Sequence, residues 1–300
     1  MEHNVFNMHT MYAYCPEEIA VRNLRFAYST FTSSTNIGAE SIRKELTDFL
    51  CTNIFGIDDR DSLVLNSGSE ANEIALFLSK LRTNRRIVVT SNLAHSSIAY
   101  AAKKLGLDVK TLFTVDPKTY QILASDLTTY LTEHGDEIAM LNVTYGTTQL
   151  GTTEDFLLNE EVRRLCRDKG VWLHVDAAFG AFYLHSLGQV PSTWQEAFKA
   201  ADSITVDPYK FIGLPTSGIL ILRDSEYKKL LNDEVTYFKG TTTALGTTRS
   251  VLPAATSLDI IRTLGSAGLK ELSNESLAKA RHITDWDEEE RLSRRDWLDC

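Results

Sequence analysis

Two stretches decide the fold: Val171-Trp172-Leu173-His174-Val175-Asp176-Ala177-Ala178 and, one unit later, Ser203-Ile204-Thr205-Val206-Asp207-Pro208-Tyr209-Lys210-Phe211. Each is a short, nearly continuous run of apolar and β-branched residues that stops at an aspartate and turns. Runs without a polar face belong to strands covered on both sides, as in a parallel sheet sandwiched by helices. Working outward, runs of the same kind stand at 62–66, 86–90, 109–113, 138–144 and 218–222. Between them lie segments of helical period. Ala71, Ile74, Ala75, Leu78 and Leu81 mark one face, with Glu70 and Glu73 in the first turn and Lys80 and Arg82 in the last. Ile98, Ala102 and Leu105 mark another, which Gly106 closes. A longer helix is expected near 39–55. The predicted class is α/β, with a mainly parallel seven-stranded sheet between helices.

Composition narrows the function. The 300 residues are 43% hydrophobic and 24% charged, and the net charge is −9. That balance argues against nucleic acid as a partner, because phosphate backbones want a basic face. No apolar run is long enough to cross a bilayer, and the N-terminus lacks a signal peptide's basic region and apolar core, so no membrane partner and a cytoplasmic location are expected. Cys15, Cys51, Cys166 and Cys300 form no CxxC pair, so neither a zinc site nor a disulfide framework is expected. His174 and Asp176 share one side of their strand but lack a third ligand, so no metal is assigned.

Chemistry gathers at the ends of the strands. In Asn66-Ser67-Gly68-Ser69-Glu70-Ala71-Asn72 a strand ends, small residues turn and a helix begins. Unpaired N–H groups at such a helix start suit a phosphate; Gly68 lets the backbone come close, and Ser69 can either donate to an oxygen or simply cap the helix. His95, in Ser91-Asn92-Leu93-Ala94-His95-Ser96-Ser97, stands where a doubly wound sheet binds ligands, and an imidazole there could stack on a flat ring or move a proton. Thr147, in Tyr145-Gly146-Thr147-Thr148, offers a hydroxyl, while Thr152 or Thr153 reads as the N-cap of a helix over 154–168. Asp176 is the sharper signal: a carboxylate ending a buried strand needs a cationic partner, and the protonated ring nitrogen of pyridoxal 5'-phosphate (PLP) would be one. Lys210 then supplies the amine for a Schiff base, with Asp207 and Pro208 setting the turn before it.

Taken in this order, His174-Val175-Asp176-Ala177-Ala178-Phe179-Gly180, Asp207-Pro208-Tyr209-Lys210 and Gly246-Thr247-Thr248-Arg249-Ser250 resemble the group II PLP-dependent amino-acid decarboxylases of fold type I, with most likeness to the archaeal tyrosine/aspartate decarboxylase branch. The resemblance runs from about Pro16 to Thr263. It implies that Lys210 carries the cofactor, Asp176 pairs with its ring nitrogen, His95 and Ala178 lie on its two faces, and Gly68 and Ser69 hold the phosphate. It also implies that Thr147 lies near the cofactor hydroxyl or substrate carboxylate, that Asp207 belongs to the cofactor site, and that Thr247 reaches a neighbouring subunit's phosphate. A mobile-loop tyrosine protonates the substrate carbon in such enzymes, and Tyr237 is the nearby candidate.

The expected protein is therefore a PLP-dependent carboxy-lyase acting on a small-molecule amino acid of the tyrosine, aspartate or glutamate kind, and a homodimer. Residues 1–55 are expected to form an N-terminal segment and helix, 56–263 the PLP-binding large domain, and 264–300 a C-terminal helix and polar tail. The tail, with no apolar stripe, reads as exposed or disordered. A histidine usually precedes the lysine in these enzymes, whereas here it is Tyr209, and their C-terminal small domain is expected to be missing or truncated. Two alternatives stay open: another fold type I reaction (aminotransferase, aldolase or C–S lyase), or a truncated non-catalytic PLP-binding homologue.

Overall fold

A computed structural model of the chain describes residues 13–27, 29–30, 37–112, 122–186, 192–231, 233–234, 241–242 and 249–295. Seven strands form one sheet: β1 Asp61–Leu65, β2 Ile87–Ser91, β3 Asp108–Leu112, β4 Ile138–Thr144, β5 Trp172–Asp176, β6 Ser203–Val206 and β7 Gly218–Leu222. Their order is β1-β7-β6-β5-β4-β2-β3. Strands β2 to β6 pair in parallel, and β7 runs antiparallel to both β6 and β1. Each strand lies within one residue of its expected bounds, because turn residues flank every apolar run. A two-residue pair, β8 Asp233–Glu234 and β9 Thr241–Thr242, stands apart.

The helices are α1 Glu17–Asn23, α2 Ile37–Phe49, α3 Gly68–Thr83, α4 Ser96–Lys104, α5 Ala124–His134, α6 Glu160–Lys169, α7 Gly180–Ser186, α8 Ser192–Ala200, α9 Glu226–Lys229 and α10 Leu252–Arg295. Strand parity sorts the core. Leu63, Leu65, Val88, Met140, Trp172, Leu220 and Leu222 pack against Ala71, Ile74, Ala75 and Leu78 of α3 and Ile98 and Ala102 of α4. The intervening residues Val64, Val89, Leu141, Val143, Leu173, Val175, Ile219 and Ile221 join the opposite layer with Leu46 and Leu50, Leu127, Val162, Phe182, Phe198 and Leu258. Both parities are apolar because both faces are covered. The same parity fixes the site, since His174 and Asp176 follow Trp172 onto the face under α3.

Three expectations change. The helix over 154–168 is a 3-10 turn, Asp155–Leu158, followed by α6, and Asn159 rather than Thr152 or Thr153 caps it by accepting the Glu161 N–H at 2.8 Å. Glu154 cannot open a surface helix, because its carboxylate turns inward to accept the Thr144 N–H at 2.6 Å. The helix near 39–55 is α2 followed by a π-helical turn, Leu50–Phe55, that an αL Gly56 ends. The polar run from Asp285, expected to be exposed or disordered, continues α10 as helix to Arg295, and α10 is kinked at Gly265.

One close approach sets the carboxyl edge of the sheet. A Cβ on Gly180 would lie 2.1 Å from the carbonyl oxygen of Tyr145, whose own bond to the Gly180 N–H is 3.1 Å long. Gly180→Ala should therefore cost about 3 kcal/mol, the upper range of overpacking a tight core. The check is a lower urea midpoint at an unchanged denaturant slope.

Candidate active site

The carboxyl ends of β4, β5 and β6 and the starts of α3 and α4 surround a cavity of about 140 Å³. Gly68, Ser69, His95, Asp176, Ala178, Asp207 and Lys210 all line it, drawn from segments spread over more than a hundred residues. Asn72, Thr144, Gly146, Thr148, Phe179 and Tyr209 complete its wall. A larger cavity, about 250 Å³, opens at the amino edge of the sheet, where Arg82, Arg163, Arg167 and Arg223 line it; it holds none of these residues.

Strand β1 stops at Leu65 and α3 starts at Gly68. Ser67, not Ser69, caps α3, accepting the Glu70 N–H at 3.2 Å. Glu70 reaches back to the Asn66 N–H at 2.7 Å, and Arg249 binds its other oxygen at 2.9 Å. That leaves Ser69 exposed at the cavity with its hydroxyl uncommitted to the cap. The first turn of α3 is held from behind and open in front.

Asp176 is 4% exposed. Its Oδ2 accepts from Asn72 Nδ2 at 2.8 Å and its Oδ1 from the Ala178 N–H at 3.1 Å. Among the described residues, no lysine or arginine pairs with it within 4.0 Å, so both oxygens keep lone pairs toward the cavity. A buried carboxylate in that condition fits a protonated ring nitrogen.

The hydrogen bonds behind Asp176 run in one direction. Trp172 Nε1 can only donate, and it gives its hydrogen to Ser203 Oγ at 2.8 Å. His174 Nε2 faces Asn72 Oδ1 at 3.1 Å, which can only accept, so the ring carries its hydrogen there; burial keeps the ring neutral, and Nδ1 accepts from Ser203 Oγ at 2.7 Å. Asn72 Nδ2 spends its two hydrogens on Asp176 and on Ser97 Oγ, the latter at 3.0 Å. Ser97 in turn donates to His95 Nδ1 at 2.9 Å. Both imidazoles are thus neutral with the hydrogen on Nε2. Burial, only partly offset by Asp176, agrees: it pushes His174 down to about 4 and His95 below its usual range.

Lys210 ends a 3-10 turn that begins at Pro208, and its Nζ lies 3.4 Å from Asp207 Oδ2. Burial pushes the Asp207 carboxyl up to about 7, against the pull of the Lys210 charge. Ala178 and Phe179 follow Asp176 on the short path into α7.

Thr147 departs from expectation. It is fully buried, and its Oγ1 accepts the Thr152 N–H at 3.1 Å and bonds Thr152 Oγ1 at 3.0 Å. Its side chain closes the 147–152 turn, and Thr148 faces the cavity instead. Tyr237 and Thr247 lie outside the described residues. Asn72 was not among the expected site residues. Its signal was present, one helical turn beyond Gly68 on the same face, but a polar residue in the first turns of a helix is ordinarily solvated.

The fold is that of the fold type I PLP-dependent proteins, and the lining of this cavity suits that cofactor. Residues 71–291 match the pyridoxal-dependent decarboxylase conserved domain, and the chain belongs to that family. It is 27% identical over 264 residues to a probable L-tyrosine/L-aspartate decarboxylase of Methanococcus maripaludis, covering 82% of this chain and 66% of that one. It is 29% identical over 261 residues to an L-aspartate decarboxylase of Thermococcus kodakarensis, covering 82% and 64%. Its fold superposes on Lactobacillus brevis glutamate decarboxylase with a TM-score of 0.76 at 17% identity, covering 93% of this chain and 68% of that structure. The chain thus spans about two thirds of the length of these proteins. Among the described residues, no helix is long and apolar enough to cross a membrane, and no group of three or more metal-ligating side chains occurs.

Proposed function

We propose that this chain carries the large-domain machinery of a PLP-dependent decarboxylase that converts an L-amino acid of the tyrosine, aspartate or glutamate kind to its amine. The observation that carries the reading is Asp176, a buried carboxylate with two hydrogen-bond donors, no cationic partner among the described residues and a shared cavity with Lys210. PLP, when bound, supplies an electron sink for the bond pair left as the carboxylate departs. The residues do the rest. Lys210 is the amine that holds the cofactor and yields it to substrate, and Asp176 keeps the proton on the ring nitrogen. His95 covers one ring face with a neutral imidazole, Ala178 limits the other, and Gly68 and Ser69 at the start of α3 hold the phosphate. Thr148 and Phe179 shape the substrate side. The proton returned to the substrate carbon comes from Lys210, His95 or Tyr237.

On this reading 56–263 is the cofactor-binding large domain, 1–55 an N-terminal segment and helix, and 264–300 a C-terminal helix and polar tail. The working form is a cytoplasmic homodimer to which Thr247 contributes across the interface. The direct test incubates the purified protein with PLP and tyrosine, aspartate or glutamate, and measures carbon dioxide and amine. Amine formed at least about tenfold faster than by Lys210→Ala supports the proposal. An oxo acid in place of the amine overturns it in favour of transamination, and no product with bound PLP overturns it in favour of a non-catalytic role.

A further inference from the structure

The phosphate position proposed above already has a negative group beside it. Asp207 directly follows β6, is 3% exposed, and lies so close to the first residue of α3 that a Cβ on Gly68 would sit 2.6 Å from its Oδ2. The same oxygen faces Lys210 Nζ at 3.4 Å, and Oδ1 has no hydrogen-bond partner. The Gly68 N–H, one of the donors a helix start offers an anion, already steadies this carboxylate. A phosphate monoester held there meets a like charge at short range. We infer that anion binding at the first turn of α3 is coupled to proton uptake by Asp207, an inference that rests on the cofactor reading above.

The step balances simply. A solvent proton forms an O–H bond at the carboxyl, no other bond breaks, and nothing is oxidised or reduced. The neutral acid keeps its place against Gly68 while the repulsion disappears. Burial makes this proton available near neutrality, since the carboxyl lies at about 7. The groups around it set the balance. Lys210 favours the charged form and Asp176 opposes it, Tyr209 and His95 share the cavity, and Glu70 is tied to Arg249 and the Asn66 N–H. Because the carboxyl is raised, it is protonated below about 7 and ionised above, so anion affinity falls as pH rises through that value.

The test is calorimetric binding of pyridoxine 5'-phosphate, which has no aldehyde and cannot bond to Lys210, to wild type and Asp207→Asn from about pH 6.5 to about pH 8.5. Wild type should bind up to about tenfold more weakly for each pH unit above 7, and Asp207→Asn should hold its affinity across the range. Pyridoxine, lacking the phosphate, should show no Asp207-dependent slope. Equal slopes in the two proteins, or the same slope with pyridoxine, would overturn the coupling while leaving the cofactor site standing. Absence of binding by either protein at every pH would overturn both together. Should Asp207→Asn fail to fold, wild type alone decides: binding heats in two buffers of different ionisation enthalpy should reveal proton uptake above about pH 7.5, and zero uptake would refute the inference.

Discussion

Lys210→Ala is expected to abolish covalent attachment of PLP. After borohydride treatment the wild-type protein should carry one cofactor mass on the peptide containing Lys210, and the variant should carry none. The rate of amine formation should fall by about 10³-fold or more, because no other group in the cavity can serve as the amine. Among the described residues that line the site, Lys210 is the sole lysine. Its loss also removes the cation that lowers the Asp207 carboxyl, so that group should move further up. A borohydride-stable adduct on another lysine, at wild-type stoichiometry, would refute the assignment of Lys210.

Asp176→Asn is the second large effect, and it separates function from structure. The amide keeps the size of the carboxylate but cannot hold a proton on the ring nitrogen, so kcat at saturating PLP should fall by about 10³-fold, the upper range for one misplaced electrostatic group in a dry site. Stability should change far less: the amide nitrogen must face either Asn72 Nδ2 or the Ala178 N–H, so one of the two hydrogen bonds is lost and melting should fall by no more than about a few degrees without cofactor. A residue that merely supported the fold would show the opposite pairing, with strongly lowered melting and retained kcat. An unchanged kcat would remove Asp176 from the chemistry.

Much of this was legible residue by residue. The parity of Trp172, His174 and Asp176 predicts which face of β5 carries the polar groups, and that face is the one α3 covers. The small residues from Ser67 to Ser69 predict the open helix start, although the serine that caps it is Ser67, which leaves Ser69 free. What escaped has a common cause. Whether Thr147 or Thr148 faces the cavity depends on a turn closed by a hydrogen bond to Thr152, five residues on. Whether Glu154 begins a surface helix or enters the core depends on an N–H of β4. Neither choice changes hydrophobic periodicity, the signal that sequence carries most strongly.

The sequence by itself determined the strands, their parity, the parallel α/β class and the roster of chemically able residues. Those follow from local propensity and from which side of each strand is apolar. Only the tertiary structure decided how the roster is wired. Asn72 and Asp176 stand 104 positions apart, and Trp172 to Ser203 another 31, yet they form one donor-to-acceptor chain that leaves His95 and His174 neutral and, among the described residues, Asp176 without a cationic partner. Likewise, Asp207 meets the first turn of α3 because β7, antiparallel to both β1 and β6, leaves those two strands parallel with their carboxyl ends on one edge of the sheet. Burial sets the charge of a group, and burial belongs to the assembled layers rather than to any segment.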